Sequence, residues 1–375
     1  NIDMNNPFVT NGYVSAKYFC DREKETADVI TMLLNGNNIA LISPRRYGKT
    51  DLIRHCFSRP EISGHFYTFI VDIYATRSLR DLVNKLGKAI LEELKPHGRK
   101  VWELFVNAIS SLKAGISYDI SGTPSWSISL GDITNPTISL DEIFNYLQKA
   151  DRPCLVAIDE FQQIGKYDED TIEATLRTYV QYCSNAHFIF AGSQRHLMGS
   201  IFTSPSRPFY QSVTIMNLPP IPKDKYREFA VRHFRENHKI LCPEVVDILY
   251  DRFAGGTFYL QKVMNVLFLK TPDNGICGME MVESAIDYII NFTADTYAEL
   301  LYQLPEKQKE VFIAINKEGK ARTINSGAFC KRYGLASPSS VKSAVNGLLD
   351  KDFITKERDY YEVYDKFFSL WLAKQ

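Results

Sequence analysis

The chain has 375 residues, 44 of them basic and 44 acidic, so its formal net charge at pH 7 is zero. Apolar residues make up 45% and aromatic residues 13%, which excludes a disordered chain and predicts two or three domains. This balance argues against a nucleic-acid coat protein or a polybasic membrane protein. No apolar run reaches the roughly 18 residues that a membrane span needs, so we expect no membrane partner.

The seven cysteines are scattered, without a C-x-x-C pair, and their number is odd. This usage is typical of reduced core thiols rather than of disulfides or a zinc site. The first residues, NIDMNNPFVT, lack the basic-then-apolar pattern of a signal peptide. We therefore expect a cytoplasmic protein.

Residues 1–220 alternate between apolar runs and segments with helical spacing of apolar positions. Strands are predicted at 38–42, 66–73, 153–161, 187–192 and 212–218. Helices are predicted at 50–57, 77–95, 139–150 and 169–184. Residues 115–131 alternate polar and apolar around Gly122, which predicts a β-hairpin insertion. Strands separated by helices predict an α/β domain with a mainly parallel five-stranded sheet.

The pattern changes after the proline-rich segment LPPIPK at 218–223. Residues 221–295 have helical spacing and no convincing strand, which predicts a small helical domain. His233 and His238 are interpreted as part of a solvated helix face. In residues 300–375, three helices precede a strand pair near 356–363, which is the layout of a winged helix. Ser337 before Pro338 is a typical start for the third helix.

The segment LISPRRYGKTDLI, residues 41–53, is similar to the phosphate-binding pattern G-x-x-x-x-G-K-[ST], with Ser43 and Pro44 where the first glycine stands. Lys49 is suited to the β and γ oxygens of a nucleotide and Thr50 to Mg²⁺, while Gly48 lets the backbone approach the phosphates. The alternative is a strand-turn-helix with an exposed lysine. We predict that the nucleotide is bound by the residues Ser43, Pro44, Arg45, Arg46, Tyr47, Gly48, Lys49, Thr50 and Asp51. Arg45 and Arg46 add positive charge beside the phosphates. Three partners are open for these side chains: ATP, a neighbouring subunit or a lid.

Two further strands end in polar residues. Asp159 and Glu160 follow a wholly apolar strand, where Asp159 is suited to hold Mg²⁺ and Glu160 to activate a water. The alternative is a strand end with solvated acids. Ser193 and Gln194 end the next strand, near the expected γ-phosphate. The alternative is that they are there because such residues favour the turn at a strand end.

These motifs resemble the AAA+/STAND branch of P-loop ATPases. More closely, the chain resembles the archaeal-type AAA ATPase family of archaea and Bacteroides-like bacteria. The segments that carry the resemblance are FCDREKE (19–25), ISPRRYGKT, LVAIDEFQQI, FAGSQRHLM, FYLQKV and DKFFSLWL.

The resemblance implies a P-loop NTPase core, a helical lid and a C-terminal winged helix, with ATP or ADP and Mg²⁺ as ligands. It implies Lys49 and Thr50 at the phosphates and Mg²⁺, Asp159 at Mg²⁺, Glu160 as catalytic base, and Ser193 or Gln194 as sensor 1. It also implies that Arg22 lies beside the adenine.

Arg207 stands where such proteins place an arginine that faces a neighbouring subunit's γ-phosphate, which would require a homo-oligomer. The alternative is a surface salt bridge. Gly255-Gly256-Thr257 departs from the proline-containing lid motif of signalling ATPases.

The C-terminal segment has more basic than acidic residues, and Ser339, Ser340, Lys342 and Asn346 of its third helix are candidates for phosphate and base contacts. Lys356 and Arg358 would lie in the wing, interrupted by acids. The segment therefore suits DNA binding or protein docking. The overall hypotheses are an ATP hydrolase that rearranges lid and winged helix, or a slow nucleotide-gated switch or DNA-binding regulator. The intact Lys49, Thr50, Asp159 and Glu160 argue against a vestigial site.

Overall fold

The computed structural model describes residues 6–44, 46–193, 195–357 and 359–375, which form two compact units. The first, which we call the sheet unit, contains Asn11–Tyr226 and Gly256–Phe258. The second, the helical unit, contains the described residues up to Thr10 together with Arg227–Gly255 and Tyr259–Gln375.

The sheet unit contains the predicted five-stranded sheet and the predicted hairpin. Its strands are β1 (Ile39–Ile42), β2 (Tyr67–Asp72), β3 (Ile116–Tyr118), β4 (Pro124–Trp126), β5 (Cys154–Asp159), β6 (Ala186–Gly192) and β7 (Thr214–Asn217). The order in the large sheet is β2-β5-β6-β1-β7, and every pairing in it is parallel. All five predicted strands are confirmed, and the carboxyl ends of the strands therefore share one edge.

Helices cover both faces of this sheet, which gives a three-layer α/β core. They are α1 (Glu23–Leu34), α2 (Lys49–Ser58), α3 (Pro60–Ser63), α4 (Leu79–Leu94), α5 (Arg99–Ala108), α6 (Pro136–Lys149), α7 (Ile172–Tyr182) and α8 (Arg195–Thr203). Side chains alternate between the two faces of a strand. Ile39 and Leu41 accordingly share a core with α1 and α2, whereas Ala40 and Ile42 share a core with α4, α6 and α7. Burial on both faces explains why the strands are continuous apolar runs.

The hairpin of β3 and β4 is antiparallel, with Ile116 opposite Trp126. The Trp126 indole donates a hydrogen bond of 2.6 Å to Asn84 Oδ1 on α4. The Trp126 ring lies so close to Gly87 that a Cβ added to residue 87 would be 2.2 Å from Cη2 of the tryptophan. Trp126 thus helps to hold the predicted hairpin against α4.

The helical unit contains two short strand pairs and the remaining helices, of which α9 and α11 have their first residues in the sheet unit. Its elements are α9 (Lys223–Glu236), β8 (Ile240–Leu241), α10 (Pro243–Arg252), α11 (Thr257–Lys270), β9 (Ile276–Cys277), α12 (Glu280–Tyr302), α13 (Glu306–Glu318), α14 (Gly327–Tyr333), α15 (Pro338–Asp350), β10 (Ile354–Lys356), β11 (Tyr361–Val363) and α16 (Lys366–Leu372). The parallel pair β8–β9 corrects the expectation of no strand in 221–295, since two-residue strands are too short to show periodicity. The predicted three helices and antiparallel hairpin are confirmed, and Ser337 caps α15 by accepting from the Ser340 amide at 3.2 Å.

His233 was predicted to lie on a solvated helix face, and that prediction was wrong. Its side chain is only 1% exposed and its ring centroid lies 4.5 Å from that of Phe229 and 6.2 Å from that of Phe8. Within α9, His233 follows Phe229 by four residues, which puts both on the apolar stripe. His238 follows the end of the helix and is exposed, as expected.

No described helix is long and apolar enough to cross a membrane. All seven cysteines are free, and all but Cys242 are buried. Burial raises the pKa of the Cys56 and Cys154 thiols to about 12, so both behave as small apolar side chains.

Candidate nucleotide site

The described part of the loop between β1 and α2 has a left-handed residue directly before the helix. Gly48 is the residue before α2 and has φ 83°, a left-handed conformation that favours glycine. Ser43 is fully buried, and its amide donates to the Gly192 carbonyl at 3.3 Å, which ties the loop to the end of β6. The N-terminus of α2 therefore faces the carboxyl edge of the sheet, where the helix dipole stabilises an anion.

Lys49 is buried, with 6% of its surface exposed. Its ammonium lies 3.4 Å from the Ser43 carbonyl, the Ser43 hydroxyl and the Pro44 carbonyl. These distances are at the long end of the hydrogen-bond range. The lysine is thus folded into the loop rather than extended into solvent, which excludes the alternative of an ordinary exposed lysine.

Thr50 and Asp159 come from different motifs, 109 residues apart, and meet in the site. The Thr50 hydroxyl donates to Asp159 Oδ2 at 2.5 Å. Asp159 is 7% exposed, at the end of the fully buried strand β5. A hydroxyl and a carboxylate oxygen in contact are the hard donor set that Mg²⁺ takes alongside phosphate oxygens and waters, so these two residues fit a magnesium ion.

Asp51, the next residue on α2, is half-buried. Burial raises the pKa of its carboxyl; the Arg54 guanidinium lowers it, and the Asp159 carboxylate adds a smaller increase. The site therefore contains two acidic groups close enough to repel each other, which a cation would relieve.

Glu160 is held in a fixed position at the turn after β5. It has φ 56°, a conformation uncommon outside glycine, at the start of a 3-10 turn over Phe161–Lys166. Its Oε2 accepts from the Ser193 hydroxyl at 3.0 Å and from the Gln162 amide at 2.5 Å. The predicted sensor residue Ser193 thus contacts the predicted base directly.

Arg22, predicted to lie beside the adenine, is 2% exposed and clamps three segments together. Its guanidinium donates to Glu25 at 2.9 Å, to the Pro219 carbonyl at 2.6 Å and to the Tyr47 carbonyl at 3.3 Å. The last contact places it against the phosphate-binding loop.

Arg46 connects the loop to the start of α11. The Phe258 amide donates to the Arg46 carbonyl at 3.1 Å, and the guanidinium lies 4.5 Å from the centroid of the Phe258 ring. Arg46 itself has a left-handed φ of 67°. The first turn of α11 is therefore attached to the loop, although its segment departs from the proline-containing motif.

Arg207 forms a two-pronged ion pair with Glu173 at the start of α7, its Nε donating to Oε2 at 2.9 Å. Of the two alternatives, the salt bridge is present in this chain. Of the other predicted residues, Arg45, Gln194 and Arg358 lie outside the described residues.

Two residues that contact the site, Gln162 and Phe258, were not assigned a role from the sequence. Gln162 stands two residues after Glu160 in the segment LVAIDEFQQI, and Phe258 begins the segment FYLQKV, so both lie in segments that carry the resemblance. Their contacts could not be predicted, because no local pattern indicates the partner of a side chain in a distant segment.

The sheet order, the loop after β1 and the acidic pair after β5 define a P-loop NTPase of the AAA+ class. The family described as "ATPase domain predominantly from Archaea" matches residues 19–263, and the chain belongs to it. A "Probable winged helix domain" matches residues 295–374. The chain is thus an archaeal-type ATPase with a C-terminal winged helix, as the resemblance implied.

Solved structures agree on the fold. A Walker-type ATPase of Pyrococcus abyssi is 18% identical, with a TM-score of 0.64 over 98% of this chain and 99% of that one. The Orc2 protein of Aeropyrum pernix, in ADPNP and ADP complexes, is 12% identical with a TM-score of 0.59 over 98% and 96%. The Orc1 protein of the same organism, in complex with DNA, is 15% identical with a TM-score of 0.53 over 95% and 93%. No curated protein matches the chain.

Proposed function

We propose that the chain is a magnesium-dependent ATP hydrolase that couples its nucleotide state to movement of the lid helices and the winged helix. The observation that carries the proposal is the contact between Thr50 and Asp159 at 2.5 Å, with Glu160 as the next residue. It brings together one residue from the phosphate-binding segment 41–53 and one from the acidic pair after β5, at the N-terminus of α2.

Phosphate binding rests on the loop itself. Lys49 and the first amides of α2 offer positive charge to the β- and γ-phosphates, and Gly48 admits them without a side chain in the way. Thr50 and Asp159 would hold Mg²⁺, which when bound neutralises phosphate charge and orients the γ-phosphoryl group. Ser43, Pro44, Tyr47 and Asp51 shape and support this loop.

Glu160 is the proposed base. Its carboxylate takes a proton from a water whose oxygen forms a bond to the γ-phosphorus, while the bond from that phosphorus to the β–γ bridging oxygen breaks and ADP leaves. Ser193 contacts Glu160 and, as sensor 1, would report the γ-phosphate to it. Gln194 belongs to the same proposal.

The coupling proposal is supported by Arg46 and Phe258. A conformational change of the loop on nucleotide binding would move the first turn of α11, because both the backbone and the ring of Phe258 contact Arg46. Of the roles considered for the loop arginines, these contacts support a proposed role of Arg46 in contacting the lid.

A slow nucleotide-gated switch, or a DNA-binding regulator, is the second candidate. The observation that favours it is the exposed face of α15, with Ser339, Lys342 and Asn346 side by side on the third helix of the winged-helix domain. The likeness to the Orc1 protein that was solved in complex with DNA is a likeness of fold. Stimulation of turnover by duplex DNA would favour this role.

Arg207 is proposed to act in a homo-oligomer, released from Glu173 to reach a neighbour's γ-phosphate. The ATPase rate per subunit would then rise with protein concentration in the wild type and not in Arg207→Ala. A rate independent of concentration would refute this role of Arg207 and leave the ion pair with Glu173 as its function. We also propose a cytoplasmic location, supported by the seven free cysteines.

The decisive experiment compares wild type, Lys49→Ala and Glu160→Gln in ATP titrations and steady-state hydrolysis, with and without duplex DNA. Lys49→Ala should lose nucleotide binding, and Glu160→Gln should bind ATP but lose turnover by about 100-fold or more. Lys85→Ala, an exposed lysine on α4, is the matched control and should behave as wild type. Binding by Lys49→Ala equal to wild type would refute the nucleotide site.

A further inference from the structure

Glu160 receives a hydrogen bond from Gln162, a residue that was assigned no role from the sequence. Gln162 lies in the 3-10 turn directly after β5, and its amide Nε2 donates to Glu160 Oε2 at 2.5 Å. Ser193, from the end of β6, donates to the same oxygen at 3.0 Å. The carboxylate is thus oriented from two sides, by one residue of its own turn and one of the neighbouring strand.

The Gln162 side chain has little freedom to move. It is 4% exposed and lies against Gly192, where a Cβ would come within 2.5 Å of the Gln162 Oε1 atom and 2.4 Å of Met198 Sδ. Any larger residue at 192 would collide with the amide or with Met198. The glycine at the end of β6 therefore leaves the space that the Gln162 amide occupies.

The other end of the amide gives an independent observation. Gln162 Oε1 is buried and accepts no hydrogen bond from any residue in the described part of the chain. A buried carbonyl without a partner lowers stability, and an apolar side chain of the same size would avoid that cost. Stability of the fold therefore does not explain an amide here, whereas the Nε2 contact to Glu160 does.

We infer that Gln162 is a positioning residue for hydrolysis, acting through Glu160; the inference rests on the proposed ATPase function. The Gln162 amide at Oε2, together with the Ser193 hydroxyl, which lies 3.0 Å from Oε2 and 3.3 Å from Oε1, fixes the rotamer of the carboxylate that would accept the proton of the attacking water. Without the amide, the carboxylate loses its orientation. Misplacement of a catalytic group by about 1 Å lowers a rate by about 100-fold.

The test is Gln162→Met, which keeps the length and volume of the side chain and removes both the donor and the unpartnered carbonyl. We expect kcat to fall about 10- to 100-fold, with KM and the Kd for ATP unchanged and with a thermal midpoint equal to or above that of wild type. Gln162→Asn, which keeps an amide that is one methylene too short, should lose kcat in the same way.

The double variant Glu160→Gln/Gln162→Met distinguishes action through Glu160 from an independent effect. If Gln162 acts only through Glu160, the double variant is no slower than Glu160→Gln alone, because residues that act as a unit are not additive. Gln303→Met is the matched control: its amide donates to Glu299 at 2.8 Å on an exposed helix end, and its loss should change no parameter.

The outcomes separate the inference from the function on which it rests. Gln162→Met with wild-type kcat, beside an inactive Glu160→Gln, would overturn the role of Gln162 and leave the ATPase intact. A fall in thermal midpoint with a rise in KM would show that Gln162 is structural and would equally overturn it. Wild type without ATP turnover, alone or with DNA, would overturn the proposed function itself.

Discussion

Arg22 offers a stability prediction that depends on one buried side chain. Its guanidinium, 2% exposed, is paired with Glu25, whose side chain is 16% exposed, and donates to the carbonyls of Pro219 and Tyr47. Arg22→Ala would leave a largely buried carboxylate and two carbonyls without these donors. Breaking a buried pair of this kind costs about 3–5 kcal/mol, and we expect a loss of that size in the unfolding free energy of the sheet unit.

Arg22→Lys should lose less. The ammonium keeps a positive charge beside Glu25 but lacks the planar fork that reaches both carbonyls, so the expected loss is about 1–2 kcal/mol. Because the Tyr47 carbonyl belongs to the phosphate-binding loop, both variants should also bind ATP more weakly, the alanine variant more so.

Tryptophan fluorescence can report on the sheet unit alone. Of the three tryptophans, Trp102 and Trp126 belong to the sheet unit and Trp371 to the helical unit. Urea unfolding in a Trp371→Phe background therefore follows the sheet unit. Arg99→Ala, which removes an arginine that is 76% exposed from its pair with Glu103, is the control and should leave the transition unchanged. A loss below about 1 kcal/mol for Arg22→Ala would refute the reasoning.

Three further changes test packing and ionisation. Gly87→Ala should destabilise the sheet unit by about 1–3 kcal/mol because its Cβ would collide with the Trp126 ring; urea unfolding with an unaltered midpoint would contradict this. Phe8→Ala should cost the helical unit about 3–5 kcal/mol, since Phe8 is fully buried among aromatic rings; Trp371 fluorescence in urea measures it. Burial, and to a lesser extent Arg59, lowers the pKa of His55 below 6.5, so the unfolded chain takes up its proton first. Stability should therefore decrease as the pH falls below 6.5, and His55→Phe should flatten that dependence; equal slopes in denaturation series at several pH values would contradict it.

Local patterns were sufficient to predict much of the fold. Apolar runs of four to eight residues between turn residues mark strands buried on both faces, and all five were found. The helices α1, α3, α5 and α8 of the sheet unit were not predicted. In α5 only Trp102, Phe105 and Val106 are buried, which is a stripe too short for a reliable periodicity over ten residues.

The residues of the candidate nucleotide site were also predicted from the sequence. Lys49, Thr50, Asp159 and Glu160 stand in short motifs whose chemistry follows from spacing along one chain segment. The substitution of Ser43 and Pro44 for the usual glycine is accommodated, because the left-handed turn that needs glycine is at Gly48.

Contacts between distant segments could not be predicted in the same way. The sequence by itself determined the five strands and the helices α2, α4, α6 and α7 of the sheet unit, and it predicted the residues proposed for phosphate and metal chemistry, because these patterns depend on neighbours within a few positions. Only the tertiary structure decided that Thr50 contacts Asp159, that Ser193 and Gln162 orient Glu160, and that His233 is buried beside Phe8. The physical reason is that strand order and helix docking follow from the burial of whole faces, and no local periodicity records which buried faces meet.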